Sequence, residues 1–469
     1  MNGGDFDTVI VGGGITGTAL MFVLARYSDV KSIALVEKHG ELAALNSSGR
    51  ANSQTLHCGD IETNYTLEKA ARVKAIAHMI VRYGEGFPAA RRHMRAFPKM
   101  VLAVGEAEVE ALRRRHAEFA GTFPYMELWE APRIAEVEPD VALVDGRPRP
   151  EPIVASGALG EICAIDYGGL AHSFAAQAAA DGGTRTELAL GTRVTGISVD
   201  GDGYRVETSG GGYDARSVAV CAGAHSLLFA HRMGHGEHLS LLPVAGSFYF
   251  TPRHMRGKVY TMQDPKLPFA ALHADPDLLV PGKTRLGPTA LVLPKLERYQ
   301  WGTYLDFLRV LGLDLPVASA LWKLFGDTTI RNYILRNMLF EVPWLGKRLF
   351  LEDIRKVVPS LALGELSYAR GMGGVRPQVI DRERREMLLG EAVVDAGGGL
   401  LFSITPSPGA STCLGNAIQN AASLVAHLGA RLDHGRIDEE LGGVEALAAA
   451  GREDQGAVAA ETWAGSRES

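Results

Sequence analysis

Residues 7–27 read DTVIVGGGITGTALMFVLARY, and this stretch decides the fold. Thr8, Val9, Ile10 and Val11 are β-branched and read as a buried strand. Gly12-x-Gly14-x-x-Gly17 follows, and Ala19, Leu20, Val23 and Leu24 then recur at helical spacing. A second apolar run, SIALVEK (32–38), reads as another strand, so the three pieces make a βαβ unit. Glycine at these positions permits a tight turn, close approach of backbone to a pyrophosphate, and close packing of helix on strand. The N–H groups that open the helix, at Ile15 and Thr16, then point at the phosphates. Glu37 ends the second strand about twenty residues past Gly17, where an acid hydrogen-bonds ribose hydroxyls, and Lys38 adjoins it. Together these residues predict a dinucleotide site.

The rest of the composition narrows the field. A chain of 469 residues exceeds one simple core and implies two adjacent or interwoven domains. The charge is balanced, 48 Lys and Arg against 54 Asp and Glu, with no basic stripe suited to nucleic acid. Cys58, Cys163, Cys221 and Cys413 are widely spaced, which argues against a disulfide framework and against a zinc site, so no metal is expected. A reducing cytosol is the expected setting. No signal peptide is expected at the N-terminus, and no apolar run is long enough to span a bilayer.

The chain leaves the nucleotide fold and returns to it. Residues 67–84 read as a helix, 100–120 as a strand and then a charged helix, and 168–183 as a helix closed by glycines. Residues 192–210 form a hairpin with a Gly-Asp-Gly turn, and ARSVAVCAGAHS (215–226) is a buried strand running into a second small-residue turn. Short strands fill 241–297, helices 300–350, and strands 371–405. SPGASTCLGNAIQNAASLVAHLG (407–429) is a loop feeding a helix. This pattern fits FAD better than NAD. Contacts are expected from Val194, from Ala222 and Gly223 in the second turn, and from Gly409, Ala410 and Ser411 in the last loop. The fold predicted is α/β, an FAD-binding Rossmann-type two-dinucleotide fold with an interwoven antiparallel-sheet substrate domain. Residues 1–85, 156–235 and 371–434 are assigned to the FAD-binding domain and 86–155 and 236–370 to the substrate domain. Residues 435–469, rich in Gly, Ala and Glu, are expected to be disordered.

The segment ANSQTLHCGDIETNYTLEK (51–69) contains few bulky apolar residues, yet it holds a histidine, two asparagines and a tyrosine. It resembles the malate:quinone oxidoreductases, in which Asn, His and a Glu-x-Asn-Tyr-Thr run follow the second strand. The matching positions are Asn52, His57, Glu62, Asn64, Tyr65 and Thr66. SPGAST (407–412), Arg376 and Gln378 in GGVRPQVI (373–380), and LPVAGSFYF (242–250) match the same family, in order. The stretch 268–292 is similar as well to the L-2-hydroxyglutarate oxidases and dehydrogenases, which share a superfamily with D-amino-acid oxidase.

The resemblance implies oxidation of a 2-hydroxy dicarboxylate, foremost (S)-malate to oxaloacetate in the tricarboxylic acid cycle, by hydride transfer to flavin N5. L-2-hydroxyglutarate, or a flavin protein without turnover, is the alternative. A base must take the hydroxyl proton, and His273 and His57 are the candidates, with His273 slightly favoured. Arg376 is the expected carboxylate anchor, with Gln378 and Tyr65 orienting substrate. Asn52 and Ser53 are expected to touch the cofactor. The acceptor implied is a quinone, and the helical stretch 300–350, with its aromatics and basic residues, is a candidate peripheral contact with the inner face of the cell membrane.

Overall fold

The structure is a computed structural model and describes residues 4–253, 255–263, 271–342, 344–388, 392–404, 409–445 and 447. Ser407 and Pro408 of the last loop lie outside the described residues.

The βαβ unit forms as expected: β1 (Asp5–Val11), α1 (Ile15–Tyr27) and β2 (Ser32–Val36). β1 pairs in parallel with β2 on one side and with Gly211–Val220 on the other. Arg185–Ala189 extends the sheet beyond β2, and Leu400–Ile404 lies beside Gly211–Val220, both again in parallel. The hairpin Val194–Asp200 and Gly203–Thr208 joins in antiparallel sense. Five parallel strands therefore end along one edge, at Val11, Val36, Ala189, Val220 and Ile404. Ligands of such sheets bind beyond the carboxyl ends of the strands.

α1 has no polar stripe; all of its residues but Arg26 are buried. A helix apolar all round must be covered on every side. Here the sheet lies beneath it, and helices Tyr167–Ala180 and Cys413–Leu428 flank it. Phe22 stacks on Phe174 and meets Tyr27, Tyr83 and Phe87 edge-on.

The second part comprises two larger sheets, antiparallel as expected except that Lys99–Val104 and Lys258–Thr261 pair in parallel. One is eight-stranded and contains Lys99–Val104, Lys258–Thr261, His273–Pro276 and Thr284–Gly287. The other has four strands and is centred on Leu239–Ala245 paired with Val375–Asp381 over seven residues. That pairing joins two stretches that the sequence-based division places in different domains. Residues 304–354 form four short helices, and Asp314 and Asp327 cap two of them.

The expected disorder from residue 435 needs correction. His434–Glu440 is a helix, with Ile437 fully buried. Glu440 receives Arg26 Nε at 2.6 Å and the Tyr27 hydroxyl at 2.8 Å. Residues 448–469 lie outside the described residues. Among the described residues no helix is long and apolar enough to cross a membrane.

Candidate active site

A cavity of about 740 Å³ runs along the carboxyl edge of the parallel sheet. Gly12, Gly14, Ile15 and Thr16 line its middle, with Glu37, Lys38 and Val194 also on its wall. The three fingerprint glycines differ in their reasons. Gly12 has φ +112°, and a Cβ there would lie 2.4 Å from the Cys221 carbonyl oxygen. A Cβ on Gly17 would lie 2.0 Å from the Gly12 carbonyl oxygen, so Gly17 serves helix–strand packing behind the cavity wall. At Gly14 a Cβ would meet only Ser47 Oγ, at 3.1 Å, so this residue keeps the cavity side open. Ser47 Oγ also accepts the Ile15 N–H at 2.9 Å. Both Glu37 oxygens are set by backbone donors, Gly13 N at 2.7 Å and His39 N at 2.8 Å. An acid thus stands fixed at the ribose position, beside an open glycine turn at a helix N-terminus. This is a donor set that suits a dinucleotide.

Lys38 and Glu297, both lining the cavity, form an ion pair. Burial, reinforced by the neighbouring Lys38, pushes the His225 imidazole down to about 4. His225 is therefore neutral near pH 7, and Glu297, 3.8 Å from its Nε2, balances Lys38 instead. Ala222 and Gly223 line the same stretch, and the Ala222 N–H is held by Ser226 Oγ at 2.9 Å.

The far end is built from the loop 46–57 and the last loop. Gly409, Ala410, Ser411, Asn52, Ser53, Thr55 and His57 all line it. Asn52 braces the loop, donating to Ser48 O at 2.9 Å and accepting the Gln54 N–H at 2.9 Å. Buried Arg285 donates to Gly49 O at 2.9 Å and pairs with Asp277. Ser411 Oγ accepts the His57 N–H at 3.0 Å and contacts the Tyr167 hydroxyl at 2.9 Å. The two loops are thereby tied into one wall. Its polarity comes from facing the cavity, which is why the segment is polar without being a surface loop.

Arg376 also faces this end. Its strand pairs with Leu239–Ala245 at Val244, and the preceding Val375 N–H donates to Asn46 Oδ1 at 3.0 Å. Among the described residues its guanidinium has no carboxylate partner, and burial pushes it below its ordinary value. A cation in this state calls for an anion. Gln378 follows two residues later on the same face of the strand, buried and outside the cavity lining.

The two histidines separate clearly. His57 lines the cavity, and its Nδ1 lies 2.5 Å from Glu62 Oε1. His273 is fully buried and does not line it. The His273 ring stacks on Tyr260 with centroids 4.5 Å apart, and its Nδ1 is 2.7 Å from Asp275 Oδ2. Tyr260 in turn contacts Thr55 Oγ1 at 2.5 Å, and buried Lys258 reaches the same oxygen at 2.9 Å. His273 thus belongs to a charged layer behind the wall. Tyr65 is also displaced from the place given it by sequence. Its ring joins Phe119, Phe123 and Met126, with Lys69 over its face at 4.6 Å.

Sequence reasoning missed Ser47, Thr55, Tyr167 and His225 as lining residues. Thr55 stood inside the stretch 51–69 already suspect for its polarity, and His225 inside the second small-residue turn; Ser47 and Tyr167 lay outside both.

The fold and cavity define a flavin-dependent oxidoreductase, and the family model for FAD dependent oxidoreductases matches residues 7–418. FAD is the cofactor. A probable malate:quinone oxidoreductase of Campylobacter jejuni is 46% identical over 444 residues, covering 93% of this chain and 99% of its own. The chain therefore belongs to the malate:quinone oxidoreductase family. The human mitochondrial L-2-hydroxyglutarate dehydrogenase is more distant, 26% identical over 87% of this chain and 86% of its own. Among solved structures, an L-α-glycerophosphate oxidase of Mycoplasma pneumoniae with FAD bound superposes with a TM-score of 0.61 at 19% identity. It covers 90% of this chain and 94% of that one, and shows the shared fold.

Proposed function

We propose that this protein oxidises (S)-malate to oxaloacetate and passes the electrons to a quinone. The observation that carries the reading is the presence, in one cavity, of a carboxylate-backed His57 and of Arg376, which has no carboxylate partner among the described residues. FAD, when bound, would supply the two-electron acceptor for the hydride leaving C2. Arg376 holds a substrate carboxylate, which a planar guanidinium does with two parallel hydrogen bonds. With Nδ1 on Glu62, His57 keeps Nε2 for the hydroxyl proton. This reverses the preference for His273 and leaves Tyr65 out of the substrate set. Gln378, on the same strand face but outside the cavity lining, leaves the substrate set as well. The cofactor contacts are those of the cavity wall: Gly12, Gly14, Ile15, Thr16, Glu37, Lys38, Asn52, Ser53, Val194, Ala222, Gly223, Gly409, Ala410 and Ser411, with Gly17 behind them.

Anaerobic bleaching of the purified flavoprotein tests the reading. (S)-Malate should bleach the flavin faster than L-2-hydroxyglutarate, lactate or glycerol 3-phosphate, and a soluble quinone should restore the colour. Faster bleaching by 2-hydroxyglutarate would transfer the assignment to that acid, and no bleaching by any of them would leave a flavin carrier without turnover.

The quinone reading extends to the bilayer surface. Leu315, Trp322, Trp301 and Trp344 stand 86, 82, 74 and 70% exposed on the helical stretch. Lys323, Arg331, Lys347 and Arg348 lie in the same stretch, the mixture that suits an anionic membrane face. Trp322→Ala with Leu315→Ala should weaken sedimentation with anionic vesicles and leave bleaching by malate unchanged. Equal sedimentation of variant and parent would remove this surface from the reading.

A further inference from the structure

We infer that Glu62 is the positioning residue of the proposed base, holding the His57 imidazole by its Nδ1 edge and balancing the charge it acquires. The inference rests on the assignment of His57 as base. Glu62 Oε1 lies 2.5 Å from His57 Nδ1, and Oε2 accepts the Gly59 N–H at 2.8 Å. Both carboxylate oxygens are thereby used, and both groups are largely shielded, with side chains 17% and 11% exposed.

The turn that presents Glu62 is clamped from outside. Arg115, on the helix Glu106–Phe119, donates to the carbonyl oxygens of Glu62 at 2.9 Å, Tyr65 at 3.2 Å and Gly59 at 3.4 Å. Its guanidinium lies over the Phe119 ring at 3.6 Å. The hydrogen bonds of Arg115 go to backbone, so the Glu62 carboxylate remains committed to His57. Asp60, the other acid of this loop, is occupied by Lys99 and by the Tyr125 hydroxyl. Thr66 then caps the helix Leu67–Gly86 by accepting the Lys69 N–H. The Glu-x-Asn-Tyr-Thr run thus acquires a physical meaning. Its tyrosine anchors the turn, its threonine starts the helix, and its glutamate reaches the site.

The chemistry follows from that arrangement. Malate loses a hydride from C2 and the proton of its hydroxyl, and the C–O bond becomes a carbonyl. FAD, when bound, would accept the hydride with both electrons; the proton goes to His57 Nε2. A doubly protonated imidazole is then left beside Glu62, whose negative charge stabilises it at the moment it forms. A carboxylate on the far ring nitrogen also fixes which nitrogen bears hydrogen beforehand.

Stopped-flow reduction of the holoenzyme by malate under anaerobic conditions tests the inference with Glu62→Gln, His57→Asn and the double variant. Glu62→Gln should keep its flavin and its apparent malate affinity, while the limiting rate falls on the order of 10²-fold. The double variant should reduce no more slowly than His57→Asn alone, because a residue acting through His57 has nothing to act on once His57 is gone. A structural role elsewhere would instead add its loss to that of His57→Asn. If Glu62→Gln purifies without flavin, Glu62→Asp carries the same test: it keeps the charge and withdraws it by one methylene, with the same rate loss and the same masking expected. A parent-like rate in the Glu62 variant beside a collapsed His57→Asn rate, or additive losses, overturns the role of Glu62 alone. A parent-like rate in His57→Asn overturns the base assignment and this inference with it.

Discussion

Arg376→Lys enzyme is expected to hold its full complement of flavin and to be reduced by malate much more slowly at low substrate. Lysine keeps a positive charge but replaces a planar two-pronged donor with a point charge. Arg376 has no carboxylate partner among the described residues, so no internal ion pair is broken by the change. The loss therefore falls on the bound anion. Disrupting a buried charged contact costs about 2–5 kcal/mol. Lysine, which retains part of the attraction, should sit near about 2 kcal/mol, roughly a 30-fold loss in the second-order rate. Arg376→Met removes the charge and should approach about 5 kcal/mol, a loss of roughly 5,000-fold. Flavin content is the control, because the glycine turn and Glu37 lie on other strands. Unchanged reduction at low malate in both variants would remove Arg376 from the site.

How far the molecule could be read from its sequence depended on whether the physics was local. Gly12, Gly14 and Gly17 were legible because a backbone turn dictates residue type on the spot, and Glu37 because one strand length fixes its distance from that turn. Their surroundings confirm three different reasons for three glycines. Arg376 was singled out by its motif, and it lines the cavity. His273 misled for a geometric reason: an apolar strand context says that a residue faces inward but not what lies inside. Here the inside is Tyr260 and Asp275, one layer behind the cavity. Tyr65 misled differently. The motif was recognised, but the course of its turn, and with it which member contacts His57, is set by Arg115, fifty residues further along the chain. Composition alone suggested disorder from residue 435, yet Ile437 and Leu441 form an i, i+4 apolar pair that buries itself completely enough to dock a helix. The pairing of Leu239–Ala245 with Val375–Asp381 spans well over a hundred residues, and no local pattern announces it.

His57 and His273 supply the second large effect, because they make opposite demands on the same experiment. Oxidation at C2 needs negative charge to build on the hydroxyl oxygen, and a positioned base contributes roughly 10²–10⁴-fold. His57→Asn should slow flavin reduction by about that factor and flatten the acidic limb of its pH profile. Its flavin content should persist, since the backbone N–H that meets Ser411 survives the substitution. His273→Asn should leave the rate within a few-fold of the parent, roughly the scale of a small rearrangement behind Tyr260. Its signature belongs to stability. Burial pushes the His273 imidazole below its ordinary value, so the unfolded chain binds a proton that the folded protein refuses. That difference favours folding above the unfolded value of about 6.5 and is lost as pH falls below it. The melting temperature of His273→Asn should therefore depend less on pH, as pH falls below about 6.5, than that of the parent. A large rate loss in His273→Asn with little in His57→Asn would restore the order that the strand context suggested. The proton would then have to leave through Tyr260, Thr55 and Lys258, the buried groups that lie between His273 and the cavity.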